Sequence, residues 1–377
     1  MKKKVLIVNA VPTNNGDAAL VMSIYNRLKM ENYEVEIETY DYDLVKMLYP
    51  DVKFIKSIFD NKIIRKLGKF NKIIIPLLLL IRKKDYLSAD IIIGAPGGYI
   101  NSYYGFFNKI YMMYTLKKSF NKKVVMYSQS VGPLNEKDEE VLGKYIDAFD
   151  MFMVRDNVSY MNIKNLINEI NLMQTNDAAF MLPIINNNEN KSKKVAISVR
   201  GWKHDSRNKN QYFEMISKMV EKCVNEGYEV EFISTCQGLE NYIDDSNVAK
   251  EIYNTLSNNI KQKVVVNTSY YKLDDLREYL TTFKFAIGTR LHMCILSIMS
   301  GVPALNISYE VKGRECYKYL GMDEYTIDYN EEINKAILSL DGMINNIHEI
   351  TEYVNVTNKK MNKLSEFYFS KLMSILN

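Results

Sequence analysis

Arg290-Leu291-His292 stands where a short apolar run ends and a helical pattern begins. Residues 285–287 read as a buried parallel strand, Gly288-Thr289 breaks it, and 292–300 carry helical apolar spacing that Gly301-Val302-Pro303 stops. Arg200 follows a second apolar run, 195–199, and Lys312 lies just past a third, 304–307. In open α/β sheets ligands bind outside the carboxyl ends of the strands, near helix N-termini. Arg290, His292 and Lys312 therefore sit where an anion would be held. Arginine forks match phosphate and carboxylate groups, and a histidine near neutrality gives or takes a proton. The structural alternative is a capping arginine beside a satisfied core histidine. Against it, the chain has only three histidines, and the glycine-flanked turn leaves the backbone open.

The N-terminal half offers weaker candidates. Asn15-Gly16-Asp17 falls at the junction of a loop, 9–17, and a helix, 18–30, and supplies either a helix cap or exposed amides with one carboxylate at the mouth of an interdomain cleft. It is not a P-loop, because no Gly-Lys-Ser/Thr follows, and it lacks the glycine pattern of a dinucleotide fingerprint. Gly97 and Gly98, after a strand at 90–93, let a ligand approach the backbone closely. Ser128 ends a strand at 122–128 that runs into Gln129-Ser130-Val131-Gly132-Pro133. Arg155 follows a strand at 151–154 and reads equally as a site residue or as half of an ion pair with Asp156.

The elements that must position these residues describe an α/β protein. The 377 residues suffice for two ordinary cores, and 47% apolar with 25% charged residues is a globular composition. A net charge of +4 is too slight to imply nucleic acid as a partner. Four cysteines without metal-ligand spacing fit reduced thiols in a cytoplasmic protein. The Met-Lys-Lys-Lys start precedes an apolar run too short for a signal peptide, and no run approaches a membrane span. Residues 53–84 hold ten Lys or Arg against one acid, Asp60, around the apolar stretch 73–81. That pattern reads either as a core helix with a basic edge or as a peripheral contact with an anionic inner-membrane surface. A linker at 183–194 separates an N-terminal domain, 1–185, from a second sheet domain, 195–345, and 346–377 form a helical tail packing back on the domains.

The ordered set Asn-x-Gly-Asp, Gly-Gly, Gln-Ser-Val-Gly-Pro, Arg-Asp-x-x-Ser, Asp-Ala-Ala-Phe, Ser-Val-Arg and Gly-Thr-Arg-Leu-His with Gly-Val-Pro resembles the polysaccharide pyruvyltransferase family, over about residues 15–312. The resemblance implies two Rossmann-like domains facing a cleft, in the GT-B arrangement, with the acceptor on the N-terminal and phosphoenolpyruvate on the C-terminal side. It implies transfer of the carboxyethylidene group of phosphoenolpyruvate to a sugar, with no cofactor and no metal. Arg200 and Arg290-Leu291-His292 match the family's donor-binding positions, and Lys312 and Arg155 match further residues implicated there. Catalysis is expected at His292, Lys312 and Asp17, and substrate binding at Arg200, Arg290, Leu291, Arg155, Asn15, Gly16, Gly97, Gly98 and Ser128. The implied acceptor is a sugar carried on undecaprenyl, in the cytoplasm or at its membrane. The competing reading is a GT-B glycosyltransferase that would place Arg290 and Lys312 on the diphosphate of a nucleotide sugar.

Overall fold

The computed structural model describes residues 2–60, 70–185, 192–201, 208–240 and 242–376. Lys62, Arg65, Lys66 and Lys69 of the basic segment, Trp202 after the Arg200 strand, and the middle of the expected linker lie outside the described residues. The chain divides into two compact units. One comprises 1–13, 17–181 and 363–377, and the other 14–16 and 182–362.

The first unit is built on parallel strands β1 (Lys4–Ala10), β2 (Glu34–Thr39), β3 (Phe54–Lys56), β4 (Ile91–Gly94), β5 (Gly97–Ile100), β6 (Lys123–Val131), β7 (Met151–Val154) and β8 (Leu172–Gln174). Their order is β3-β2-β1-β4-β6-β7-β8, with β5 paired to β6. Strands such as Val5-Leu6-Ile7-Val8 and Ile91-Ile92-Ile93 are apolar at consecutive positions and wholly buried, as a sheet covered on both faces requires. The chain runs outward from β1 through β2 to β3 and then returns to β4 on the other side of β1. Strand order therefore reverses between β1 and β4.

The second unit repeats this plan with β9 (Lys194–Ser198), β10 (Glu229–Phe232), β11 (Val264–Val266), β12 (Phe285–Gly288), β13 (Ala304–Ser308) and β14 (Thr326–Asp328). The order β11-β10-β9-β12-β13-β14, parallel throughout, reverses between β9 and β12. The long helix Ile347–Leu376 contributes its residues through Asn362 to the second unit and those from Lys363 to the first.

Three local expectations are corrected. Gly97 and Gly98 are not loop: they open β5, with Gly97 opposite Gln129. Strand β6 runs on to Val131, so Gln129 and Ser130 lie within it rather than after it, and Ser128 is not its last residue. The first helix begins at Asn15, not Ala18, so Asn15-Gly16-Asp17 form its first turn. A first turn tolerates poor helix formers because its N–H groups need no intrahelical acceptor.

The apolar stretch 73–81 forms the helix Asn71–Ile81, with Pro76 inside it. Proline has no N–H to give the carbonyl four residues back, that of Lys72. The Tyr111 hydroxyl, on the helix Phe107–Lys118, donates to that carbonyl at 3.2 Å. Asn71, Ile75 and Leu79 face inward, whereas Phe70, Ile73, Leu77, Leu80 and Ile81 are exposed.

Candidate active site

In the second unit the strands flanking the reversal end in arginines. Arg200 follows β9, and Arg290 follows β12 as the N-cap of the helix Leu291–Met299. Arg290 makes no side-chain cap, and the Met293 N–H of that first turn donates to the Arg290 carbonyl at 2.9 Å. Glycine at 288 is obligatory here, because a Cβ would lie 2.5 Å from Cys294 Sγ on the following helix. The strand can turn straight into the helix only without that atom.

The Arg290 fork is occupied. Its Nε and Nη2 each donate at 2.8 Å to the buried carboxylate of Asp245, which also accepts from Ser234 Oγ at 2.6 Å. Burial alone would lower the guanidinium pKa, and the Asp245 carboxylate more than reverses this, so Arg290 is held charged. Nε and Nη2 of the fork are thus committed to Asp245, and Arg290 brings fixed charge beside a helix start that its side chain does not cap.

Tyr309, just past β13, gathers the cations. Arg200 Nη1 donates to its hydroxyl, and the guanidinium carbon lies 4.6 Å from its ring centroid. Lys312 Nζ is 6.0 Å from the same ring and pairs with Glu310 Oε2 at 2.5 Å. The Tyr309 phenol also acts electrostatically on Arg290. The Arg200 strand is braced in turn by Tyr212, whose hydroxyl accepts from the Arg200 N–H at 3.3 Å and shares a 2.6 Å bond with Thr289 Oγ1.

Leu291 is buried, so its backbone amide is what it can present to an anion. His292, next in the same turn, packs against Gly16, where a Cβ would fall 2.9 Å from the imidazole Nδ1. Asn15 donates its N–H to the Thr235 carbonyl at 2.9 Å and its side-chain amide to the Tyr271 carbonyl at 3.0 Å. The amide of Asn15 is thus not exposed as expected; it fastens the helix start to the second unit and sets Gly16 against His292.

The other expected residues lie in the first unit. Arg155 is buried and pairs with Asp177 at 2.7 Å rather than with Asp156. Its Nε donates to Ser130 Oγ at 2.7 Å, and Ser130 donates to Asp156 at 2.8 Å. Asp156 caps the helix Asn157–Ile163 by accepting from the Ser159 N–H. Gly98 lies against Arg155, with 3.5 Å between its notional Cβ and Nη2. Ser128 is wholly buried; its hydroxyl donates to the Asn176 carbonyl and accepts from the Ala178 N–H, both at 3.0 Å, and so holds that turn rather than facing a ligand.

Asp17 acts electrostatically on Lys109, as does Glu38. Glu38 is fully buried in β2, accepts from the Asn9 N–H at 2.6 Å and from the Tyr86 hydroxyl at 3.3 Å, and burial pushes its carboxyl pKa up. Sequence reasoning missed Asp245, Tyr309, Glu38 and Lys109. Only Tyr309, between a strand end and Lys312, carried a positional signal. Among the described residues no group of three or more His, Cys, Asp or Glu is placed to hold a metal ion. All four cysteines are buried free thiols.

A family model described as polysaccharide pyruvyl transferase matches residues 14–311. The chain is 25% identical to the amylovoran biosynthesis protein AmsJ of Erwinia amylovora, across 93% of this chain and 94% of that one. Among solved structures it is similar to a glycosyltransferase from Rickettsia africae, with a TM-score of 0.66 at 11% identity over 100% of this chain and 99% of that one. It is also similar to UDP-GlcNAc 2-epimerase from Neisseria meningitidis, with a TM-score of 0.62 at 11% identity over 99% and 100%. At such identities these two likenesses carry the fold alone: two parallel-sheet α/β domains of GT-B type.

Proposed function

The chain belongs to the polysaccharide pyruvyl transferase family, and from that premise we propose that it is a ketal pyruvyltransferase using phosphoenolpyruvate as donor. The carboxyethylidene group goes to two hydroxyls of one sugar in a lipid-linked precursor of a cell-surface polysaccharide. The observation that carries the donor reading is the convergence of Arg200, Arg290 and Lys312 on Tyr309, beside the uncapped start of the His292 helix. Phosphoenolpyruvate has a phosphate and a carboxylate, and fixed cations with helix N–H groups suit both. Lys312 exchanges Glu310 for the donor when the anion arrives.

The chemistry balances without a redox partner. The methylene carbon of the enol takes a proton and becomes a methyl group. One sugar hydroxyl attacks the adjacent carbon, the bond from that carbon to the phosphate oxygen breaks, and a second hydroxyl closes the ketal. Of the two hydroxyl protons lost, the methyl group accounts for one and the released phosphate for the other. His292 moves a proton at the enol carbon or the leaving phosphate, and the cations stabilise charge developing on that phosphate. No cofactor enters this scheme.

We place the reaction in the cytoplasm, at the inner membrane surface where an undecaprenyl-linked acceptor resides. No described helix is long and apolar enough to cross a membrane. The exposed face Phe70, Ile73, Leu77, Leu80 and Ile81, flanked by Lys72, Lys83 and Lys84, suits shallow binding to anionic lipid. The test of the whole reading is phosphate release from phosphoenolpyruvate on a panel of p-nitrophenyl and lipid-linked glycosides, beside the same panel with nucleotide sugars. Transfer from a nucleotide sugar with no phosphate release from phosphoenolpyruvate would hand the site to a glycosyltransferase.

A further inference from the structure

Within the second unit an ion pair joins the starts of two helices. Arg290 is the N-cap of the helix Leu291–Met299, and Asp245 is the N-cap of the helix Ser246–Thr255. An aspartate at that position ordinarily accepts an N–H of its own helix, and giving up such a cap destabilises a protein. Asp245 makes no cap of this kind. Asp244 Oδ1 takes the Ser246 N–H at 2.8 Å, and both carboxylate oxygens of Asp245 go to Arg290. Burying the pair is costly as well. Asp245 is 2% exposed, and apolar residues in place of a buried ion pair often leave stability unchanged or raised. Stability therefore does not account for the carboxylate; the orientation that it imposes on the guanidinium does.

A guanidinium carries its N–H donors in a planar, rigid fork. Asp245 takes the Nε/Nη2 edge. The Nη1/Nη2 edge, with two parallel N–H groups, makes no hydrogen bond among the described residues. The carboxylate is itself immobilised. Asp245 donates its N–H to the Cys236 carbonyl at 2.9 Å, and its Oδ2 accepts from Ser234 Oγ at 2.6 Å. Ser234 donates its N–H to Gln237 Oε1 at 2.7 Å, and Ser198 Oγ, on β9, donates to Ser234 Oγ at 3.3 Å. A chain of bonds thus runs from the end of β9 to the fork. We propose that Asp245 is a positioning residue of the donor site: it holds the Arg290 guanidinium in place before the anion arrives, so that the Nη1/Nη2 edge takes a phosphate or carboxylate group bidentately. The inference rests on the pyruvyl-transfer reading for the identity of the donor, while the orientation of the fork is argued from this network alone. Preorganisation is the gain, because an arginine free to turn loses its rotamer freedom on binding and a fixed one does not. Asp245 also offsets part of the Arg290 charge, so its contribution is one of aim and not of attraction.

The experiment is calorimetric titration of the whole protein with phosphoenolpyruvate, inorganic phosphate and pyruvate, on wild type, Asp245→Asn, Asp245→Glu, Arg290→Met and the double variant Asp245→Asn with Arg290→Met, each beside its Tm. Asp245→Asn removes a negative charge, so charge alone would make an anion bind more tightly. Loss of aim should instead weaken phosphoenolpyruvate by about ten- to a hundredfold. Asp245→Glu keeps the ion pair, and with it a Tm near that of wild type, but displaces the fork by the length of a methylene, so donor affinity should again fall by about tenfold. In the Arg290→Met background Asp245→Asn should change donor affinity by less than about twofold, because Asp245 acts through Arg290. Phosphate or pyruvate, whichever carries the group that rests on the fork, should show the same loss as the donor. Wild-type or tighter donor binding in either single Asp245 variant, or an equal loss with and without Arg290, overturns the proposal. Should Asp245→Asn fail to fold, the Asp245→Glu affinity decides. If wild type binds phosphate but not phosphoenolpyruvate, and Asp245→Glu weakens phosphate, the transfer reading fails and the positioning role stands. A wild type that binds none of the three anions overturns both.

Discussion

The point where strand order reverses in the second unit is flanked by Arg200 and Arg290, with Lys312 close by on Tyr309. In the first unit the same topological position is flanked by Asn9, Glu38 and Tyr99, with Lys109 reaching over the Tyr99 ring. Both sheets are parallel and both reversals fall beside the first strand of the unit. Fold alone therefore specifies where a ligand goes and says nothing about which ligand. The side chains after the strands decide. One unit has charge suited to an anion. The other has ring faces and hydrogen-bonding groups around an amine, which suit a neutral, hydroxyl-bearing partner.

The largest effect that would break this comparison is structural. Asp245→Leu leaves the Arg290 guanidinium without its carboxylate, and losing one partner of such a pair costs about 3–5 kcal/mol. Denaturant unfolding should show that loss; a change under about 1 kcal/mol would mean that Arg290 is readily hydrated and the pair contributes little. Next comes His292→Gln, expected to lower turnover at saturating donor by about a hundred- to ten-thousandfold with donor affinity changed far less. A Gln variant within about threefold of wild type would remove proton transfer from His292 and leave it a positioning residue.

Smaller effects sharpen the contrast. Tyr309→Phe keeps the ring beside the cations but removes the hydroxyl that accepts from Arg200. It should weaken phosphoenolpyruvate binding by several-fold, on the order of 1 kcal/mol in calorimetry; unchanged binding would remove the Tyr309 hydroxyl from the site. For the exposed helix face, replacing Ile73, Leu77 and Ile81 by Ser should abolish flotation with anionic vesicles while turnover on a soluble acceptor stays constant.

The smallest effect is one of sign. Lys109 has a folded-state pKa below its unfolded value, so the unfolded chain binds the proton more readily between about 8 and the ordinary lysine value. Its unfavourable charge is fully present below about pH 8 and relieved as pH rises through that window. Lys109→Met should then hold or raise the Tm at pH 7 and lose that advantage toward pH 10. A lower Tm at pH 7 would show the ammonium to be stabilising.

Much of this was legible in the sequence, for identifiable reasons. Strand β7 falls at the expected residues, since an apolar run bounded by polar turns leaves little choice. The strand–turn–helix around Arg290 was readable because Gly288-Thr289 and Gly301-Val302-Pro303 punctuate it. Gly97-Gly98 misled because glycine predicts loop, whereas the overrun of β6 supplies a neighbour that draws the pair into the sheet. Arg155 was offered the adjacent Asp156 and took Asp177 instead, because its true neighbour is set by the β7–β8 crossover and not by the chain. Asp245 and Lys109 had no local signal at all: their significance comes from partners far away in sequence.

Asn14, Asn15 and Gly16 belong with the second unit although the helix that begins at Asn15 belongs from Asp17 onward with the first. The second unit is thus not contiguous in the sequence. A fragment cut at 182–362 would leave the Thr235 and Tyr271 carbonyls without the Asn15 donors and His292 without the glycine backing its ring. Chimaeras meant to trade donor or acceptor preference between relatives must carry residues 14–16 with the C-terminal half. Recombination at the 183–194 boundary alone would join each His292 to a foreign helix start.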